Sequence, residues 1–286
     1  MKNIKKIAIT IFKISISLLL LYFVFRKVPF AEVWELTKGS NVLYLILALI
    51  AFVGSQWFSS QRLLGYFHAN SFRLQSMSNW KLYLVGMFYN FFIPGGIGGD
   101  AYKVFLLNKK FGWNVKKLST SVFCDRLSGL LAIVILIEIL SLAFLPGWWK
   151  ALVFPAIIVT FFVAQFLFNK LFSSFKSIFF KSLLYSFGVQ ILQLVSIFLI
   201  LNSFASVEDI WIYFMVFLVS AVLSVISFSG IGVREWLFLK AAQFYTFDAG
   251  ISVSTAMLFS FITALVSLVG IGFQLSRFEL KKEEDV

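Results

Sequence analysis

The sequence predicts an all-α polytopic membrane protein with about six full spans and two re-entrant or broken helical hairpins. Three observations lead to this prediction. The 286 residues are 60% hydrophobic and only 13% charged, with a mean hydropathy of +0.92, whereas soluble domains are roughly 45–50% apolar and about 25% charged. Several apolar runs approach the roughly 20 residues that a helix needs to cross a bilayer. Two apolar regions are also interrupted by glycines beside charged residues.

The first apolar segment resembles a signal peptide, because MKNIKKIAITIFKISISLLLLYFVF joins basic residues to an apolar stretch. No small-residue cleavage site follows, which predicts an uncleaved first span. No long polar tract separates the later segments, so the sequence predicts a single membrane domain over residues 1–286. Those later apolar segments lie at 42–60, 118–145, 151–169, 183–202, 209–227 and 250–275.

Lysine and arginine in short loops predict the orientation, because such loops favour the cytoplasm. The basic N-terminus is predicted to lie inside, and the basic loop assigned after the second span returns to the same side. Basic residues after the last span place the C-terminus in the cytoplasm as well. The residues behind these assignments are Lys2, Lys5, Lys6, Arg62, Arg73, Lys81, Arg277, Lys281 and Lys282.

The stretch FFIPGGIGGDAYKVFLL (91–107) predicts a hairpin rather than a crossing. A full span over 82–102 would place the following lysines outside. We therefore expect 82–93 to enter from the cytoplasm, the chain to break at Pro94, and a segment near 99–110 to return. Proline and glycine disfavour helix, and irregular backbone at membrane depth must be packed within protein or line a wet cavity. The lysines concerned are Lys103, Lys109, Lys110, Lys116 and Lys117.

The second half of the chain repeats this order upside down. A second broken segment, SFSGIGVREWLFLK, carries the same Gly-Ile-Gly core as the first and is likewise followed by charge. It must begin and end outside if the last span is to finish inside. The sequence thus predicts an inverted repeat with halves of about 1–148 and 149–286. Paired glycine-interrupted segments in such halves point to a transporter's midplane site.

Composition also excludes several function classes. The net charge of +12 is interpreted as basic loops facing anionic lipid, and no nucleic-acid partner is predicted. Cys124 is the only cysteine and His68 the only histidine, so neither a disulfide framework nor a cysteine zinc site is expected, and no metal or cofactor is predicted. No nucleotide-binding P-loop follows the glycines. A hydrolytic site is not apparent, which makes a transporter more consistent with the residues than an enzyme.

Charged residues at membrane depth are the candidate substrate-binding residues, because they usually face partners, water or substrate. Arg234 matches phosphate oxygens by geometry, and its alternative role is an ion pair with Glu235 or Asp100. Asp100 is interpreted either as the N-cap of the returning helix or as a counter-ion for a cationic headgroup. The backbone of Gly96, Gly98 and Gly99 either holds phosphate or only makes a turn.

Three further candidates lie on the segment 118–145. Asp125 and Arg126 are interpreted as substrate-binding residues or as a local pair near the membrane interface. Glu138 is interpreted as a proton or cation site, or as a buried carboxyl group that is hydrogen-bonded to a glutamine.

The motifs NFFIPGGIGGDAYKVFLL, CDRLSGLLAI and SFSGIGVREWLFL resemble those of the flippase-like domain family, also called the lysylphosphatidylglycerol synthase transmembrane region. The family pattern includes an Asn, Pro-x-Gly-x-Gly-Gly-Asp with a basic residue close behind, Asp-Arg-x-x-Gly, and Gly-x-Gly-x-Arg-Glu. Lys103 stands where family members often have arginine. Asn90, Lys103 and Glu235 are counted with the candidate substrate-binding residues. The matching positions are Asn90, Pro94, Gly96, Gly98, Gly99, Asp100, Lys103, Asp125, Arg126, Gly129, Gly230, Gly232, Arg234 and Glu235.

The resemblance implies a bacterial or archaeal cytoplasmic membrane and lipid translocation, by analogy with the large multiple peptide resistance factor. That protein also carries a soluble aminoacyl-transferase domain, which is not expected here, so no synthase activity is inferred. The leading hypothesis is a flippase for a phospholipid or lipid-linked substrate. The alternatives are a membrane enzyme that modifies such a substrate, or a non-transporting partner of a lipid or glycan enzyme. A homo-oligomer is left open.

Overall fold

The structure is a computed structural model that describes residues 34–35, 37–92, 98–204, 209–226, 233–245, 248–276 and 278–283. The described residues are overwhelmingly helical, and no strand occurs among them beyond a single isolated bridge. The predicted first span, residues 93–97 of the first glycine-rich turn and residues 227–232 of the second lie outside the described residues. The helices are α1 (Val42–Ala69), α2 (Ser76–Phe92), α3 (Gly98–Phe111), α4 (Val115–Ser141), α5 (Trp149–Leu171), α6 (Phe179–Phe204), α7 (Ile210–Ile226), α8 (Val233–Tyr245) and α9 (Ala249–Leu275), with a 3₁₀ segment at Ser173–Ile178.

Polar residues at the start of three long helices explain where those helices begin. The side chain of Asn41 accepts a hydrogen bond from the Leu43 N–H group at the start of α1. Asn114 does the same for α4, and Asp248 does so for α9. Each side chain satisfies one of the backbone donors that a helix leaves free in its first turn.

Four helical segments are long and apolar enough to cross a membrane, counted over the described residues: Val42–Ala69, Trp149–Leu171, Ser173–Phe204 and Ala249–Leu275. Helix α5 leaves most of its apolar side chains on the surface, including Phe154 and Phe166 with 72% and 64% exposure. An apolar helix with so little protein around it is suited to lipid rather than water. The chain is a helical membrane protein.

The helices pack as a bundle around two central pairs, α1 with α6 and α2 with α9. Helix α1 runs along α6, and buried residues such as Phe52 and Ile197 fill the core between them and their neighbours. Helix α4 contacts α1, α3, α5, α6 and α7, whereas α9 contacts α2, α6 and α8. Gly270 permits the close approach of α9 to α2, because a Cβ atom there would overlap the backbone of Leu84. Small residues commonly allow such contacts between membrane helices.

One end of the bundle is rich in basic residues among those that the structure describes. There the ends of α1 and α3 meet the starts of α2 and α4 around an apolar cluster that includes Leu63, Leu82 and Leu107. The segment after α9 joins this end, because Leu280 is buried in the same cluster and Leu74 forms an antiparallel bridge with Lys282. The exposed lysines at this end include Lys109, Lys110, Lys116 and Lys117.

The structure corrects one boundary from the sequence. The apolar segment 42–60 was expected to end before Arg62, which was assigned to a basic loop. Helix α1 instead continues to Ala69, and the Arg62 side chain is only 6% exposed inside the bundle. The prediction was wrong because an arginine with a buried partner does not end a helix, and the partner lies on another element.

Candidate functional site

Helices α2 and α3 lie side by side, and their contact depends on two glycines. A Cβ atom on Gly99 would overlap the carbonyl group of Gly86 on the neighbouring helix. A Cβ atom on Gly86 would in turn overlap the alkyl chain of Lys103. Because both glycines lack side chains, the two backbones can approach each other and leave space for the alkyl chain of Lys103. The Lys103 side chain is 4% exposed.

Asn90, near the end of α2, caps the start of α3 from outside that helix. Its Oδ1 accepts a hydrogen bond of 2.8 Å from the Gly99 N–H group, which satisfies a free donor of the first turn. The sequence reading that made Asp100 the N-cap is wrong. Asp100 lies within the first turn of α3, and its carboxylate contacts side chains on three sides.

Asp100 is the centre of a cluster that joins α2, α3 and α4. Its Oδ1 accepts hydrogen bonds from Lys103 Nζ at 2.9 Å and from Asn90 Nδ2 at 3.3 Å. Its Oδ2 accepts from Arg126 Nε at 3.0 Å and lies 2.9 Å from Arg126 Nη2. We call Asn90, Asp100, Lys103 and Arg126 the tip cluster. Its three charged members are two cations and one anion, which leaves an excess positive charge at neutral pH.

The members of the tip cluster differ sharply in exposure. The side chains of Lys103 and Asp100 are 4% and 13% exposed, whereas that of Arg126 is 49% exposed. The Lys103 ammonium also lies 4.9 Å from the centre of the Tyr83 ring, within the range of a cation–π contact. Arg126 is therefore the cation of the cluster that is open to a ligand.

Arg126 lies well inside α4 rather than at its start. Helix α4 begins at Val115 beside exposed lysines. A rise of 1.5 Å per residue puts Arg126 about 17 Å further along the helix axis.

Asp125, the neighbour of Arg126, belongs to a separate ion pair. Its carboxylate accepts hydrogen bonds from Arg62 Nε at 2.8 Å and Nη2 at 3.3 Å, and Arg62 Nη1 donates to Ser186 Oγ at 2.8 Å. Both charged side chains are buried, with exposures of 6% and 7%. The guanidinium group packs over Gly129, where a Cβ atom would lie 3.0 Å from Nη1.

This arrangement overturns the interpretation of Asp125 and Arg126 as a local pair, since each binds a partner on another helix. It also shows a residue that the sequence analysis missed, because Arg62 had been assigned to a loop. The serines and Gln56 that precede Arg62 in the sequence could have indicated that Arg62 is buried. Such residues on the face of an apolar helix indicate a polar seam inside the bundle.

Arg234, in the first turn of α8, lies between two aromatic rings. Its guanidinium carbon is 4.7 Å from the centre of the Phe259 ring and 5.3 Å from that of Phe217. Among the described residues its buried Nε has no hydrogen-bond partner, and no ion pair joins it to Asp100. The adjacent Glu235 accepts a hydrogen bond of 2.7 Å from Ser260 Oγ on α9.

Glu138 lies apart from these groups, near the far end of α4. Its Oε1 accepts a hydrogen bond of 2.6 Å from Thr160 Oγ1 on α5, so its partner is a threonine and not the glutamine that the sequence suggested. Its buried Oε2 has no partner within the described part of the chain. Of the predicted glycines, Gly98 and Gly99 begin α3, and Gly96 lies outside the described residues.

Comparison with known proteins identifies one family. The family described as Lysylphosphatidylglycerol synthase TM region matches residues 10–178, which is more than half of the chain. The matched stretch includes the whole tip cluster and the Arg62–Asp125 pair, but it ends before Arg234. No curated protein and no solved structure matches the chain. The protein is a member of the lysylphosphatidylglycerol synthase transmembrane-region family.

Proposed function

We propose that the protein is a flippase that moves a phospholipid or lipid-linked substrate across the bacterial or archaeal cytoplasmic membrane. One observation carries the proposal: the tip cluster has excess positive charge, and its half-exposed member, Arg126, lies about midway along α4, which in this proposal crosses the membrane. A charged group at that depth usually faces a partner, water or substrate. Every phospholipid has a phosphate that a guanidinium group can bind through paired hydrogen bonds.

In this proposal Asp100 positions Arg126 for the headgroup. The carboxylate holds the guanidinium group through Nε and Nη2, and Nη1 makes no hydrogen bond to a described residue. A phosphate oxygen is therefore bound from the exposed side while Asp100 keeps the group in place. Lys103 offsets the charge of Asp100 from the buried side, which leaves the charge of Arg126 available to the anion.

We further propose that the two halves form an inverted repeat around this site. The repeat would relate α1 to α6, α2 to α7, α3 to α8 and α4 to α9. The helix contacts support it, because the contact of α2 with α9 then corresponds to that of α7 with α4, and α1 contacts its own counterpart, α6. Two polar contacts also correspond. Asp100, third in α3, binds Arg126, twelfth in α4. Glu235, third in α8, binds Ser260, twelfth in α9.

The second half contributes Arg234 in this scheme. A guanidinium group between two rings is stabilised by cation–π contacts, and its buried Nε lacks a partner among the described residues. An unpaired donor of this kind is unfavourable inside a protein, which is the condition that an incoming phosphate would relieve. Arg126 and Arg234 would then serve the two halves of one transport pathway.

Replacing Arg126 with alanine is expected to slow leaflet exchange of headgroup-labelled phosphatidylglycerol in proteoliposomes by about tenfold or more. The reason is the loss of a charge-assisted phosphate contact, worth roughly 1.5–3 kcal/mol. Arg73→Ala is the matched control, because it removes an arginine from an exposed loop position. Arg234→Ala is expected to resemble Arg126→Ala, and elution as a monodisperse species shows that each variant is folded.

Equal exchange rates in wild-type protein, Arg126→Ala and Arg73→Ala would refute a role for the tip cluster in transport. The mass of the recovered lipid is measured in the same samples. A transporter changes only the leaflet in which the lipid lies, whereas an enzyme changes its mass, so a new lipid mass would favour the membrane-enzyme alternative.

The proposed topology is tested by cysteine labelling in Cys124→Ser protein, since Cys124 is the only cysteine and is buried. A cysteine that replaces Lys110, after the hairpin, is expected to be shielded from an impermeant reagent added to intact cells. One that replaces Lys150, between α4 and α5, is expected to react. Both positions are exposed on the protein surface. Labelling of position 110 from outside would contradict the re-entrant hairpin and the inverted repeat together.

A further inference from the structure

A small cavity lies between α1 and α6, and its lining shares no residue with the tip cluster. It has a volume of about 100 Å³ and opens between the C-terminal part of α1 and the start of α6. Sites for drug-sized ligands measure roughly 300–1,000 Å³, so this cavity suits a single charged group rather than a whole lipid. The residues that line it are Gln61, Arg62, Leu64, Gly65, His68, Ile178, Lys181, Ser182 and Tyr185.

Most polar groups in the lining already have partners. Arg62 is neutralised by Asp125, and Gln61 is hydrogen-bonded to Ser76. His68 Nε2 lies 3.0 Å from the Leu74 carbonyl oxygen. These contacts leave those groups little donor capacity for a ligand.

Lys181 and Tyr185 are the exceptions. Neither the Lys181 ammonium nor the Tyr185 hydroxyl forms a hydrogen bond or ion pair with any residue that the structure describes. The two residues are four positions apart on α6, which places them on the same face of the helix. No carboxylate is among the described residues that line the cavity. Asp125 is already paired with Arg62, and Glu283 lies 3.5 Å from His68.

The surroundings of Lys181 favour a ligand that comes from the membrane. Phe180 and Leu184, on either side of it in α6, are 71% and 65% exposed, as expected for side chains in contact with lipid. A lysine at the start of a membrane helix extends its ammonium group to the interface, where the headgroups lie. Basic pockets between membrane helices on the cytoplasmic side bind anionic headgroups.

We propose that this cavity binds a phosphate group, with Lys181 and Tyr185 as its donors, at a site separate from the tip cluster. The phosphate belongs either to an anionic lipid headgroup or to a free phosphate ion. The site goes beyond the proposed transport function, because its lining shares no residue with the tip cluster and it needs no movement of the lipid across the membrane.

The test is equilibrium binding to purified protein in phosphatidylcholine nanodiscs, with short-chain phosphatidylglycerol and inorganic phosphate as separate radiolabelled probes. Lys181→Ala is expected to weaken binding of at least one probe about tenfold or more. Lys176→Ala is the matched control, because it removes an exposed lysine from the adjacent 3₁₀ segment without touching the cavity, and it is expected to change affinity less than about twofold. Tyr185→Phe, which keeps the ring beside Phe58, is expected to weaken binding about threefold.

Each outcome decides the proposal. Binding of phosphatidylglycerol alone identifies a lipid headgroup, and binding of both probes identifies the phosphate group itself. Arg126→Ala is expected to leave the Lys181-dependent binding unchanged. The proposal is overturned if neither probe binds saturably, if Lys176→Ala weakens binding as much as Lys181→Ala, or if Arg126→Ala removes all binding. Leaflet exchange is measured independently, so failure here leaves the transport proposal standing.

Discussion

Replacing Arg62 with methionine is expected to destabilise the protein by about 3–5 kcal/mol. Methionine retains much of the apolar stem but leaves the Asp125 carboxylate buried without its partner. The same substitution removes the hydrogen bond to Ser186 and so weakens the contact between α1 and α6. Thermal unfolding of the purified protein in detergent is the measurement, and the unfolding temperature is expected to fall by many degrees.

A double substitution separates the cost of an unpaired charge from the loss of packing. Arg62→Met combined with Asp125→Leu is expected to be more stable than either single variant, because apolar residues can replace a buried ion pair at little cost. Arg73→Met is the control for removing an exposed arginine. If the single variants unfold at the wild-type temperature, the ion pair between Arg62 and Asp125 does not stabilise the contact between α1 and α4.

Replacing Gly99 with alanine is expected to separate α2 from α3 and to abolish leaflet exchange. The new Cβ atom would overlap the backbone carbonyl of Gly86, which cannot move as a flexible side chain can. Overpacking of this kind typically destabilises by about 1–3 kcal/mol and occasionally more. The shift would also break the Asn90–Gly99 hydrogen bond and move Asp100 away from Arg126.

Gly272→Ala is the matched control, since a Cβ atom at this position of α9 has nothing within 4 Å. Alanine favours helix over glycine by roughly 1 kcal/mol, so this variant is expected to be at least as stable as the wild type. The two measurements are thermal unfolding in detergent and leaflet exchange in proteoliposomes. A Gly99→Ala protein with wild-type values of both would show that α2 and α3 need not be in contact.

Much of the architecture could be predicted from composition and helix-breaking residues. Apolar runs near 42, 118, 151, 183 and 250 each became part of a long helix, because burial of apolar side chains in lipid or protein depends mainly on local composition. Two helices, Ser76–Phe92 and Gly98–Phe111, flank the predicted break at Pro94, which itself lies outside the described residues. The ends of helices were less predictable. A charged residue such as Arg62 suggests a loop in the sequence, because its buried partner on another helix is not known there.

The candidate site was predictable only as a set of residue types. Asp100 and Arg126 were singled out because charge at membrane depth is costly, and Lys103 because it belongs to the family motif, yet their mutual contacts were not foreseen. Asn90 was recognised by resemblance, but its hydrogen bond to the Gly99 N–H group was not. Capping was assigned to Asp100 because sequence shows which residue precedes a helix and not which side chain reaches it from a neighbouring one.

The sequence alone determined that this is a helical membrane protein, where its main helical segments lie, and which charged residues are unusual. Only the tertiary structure decided how those charges are paired. Successive residues on an α-helix point about 100° apart, so Asp125 turns towards Arg62 on α1 while Arg126 turns towards Asp100 on α3. Partners that lie 63 and 26 residues away in the chain meet because the packing of helices brings them together, and no local pattern encodes that packing.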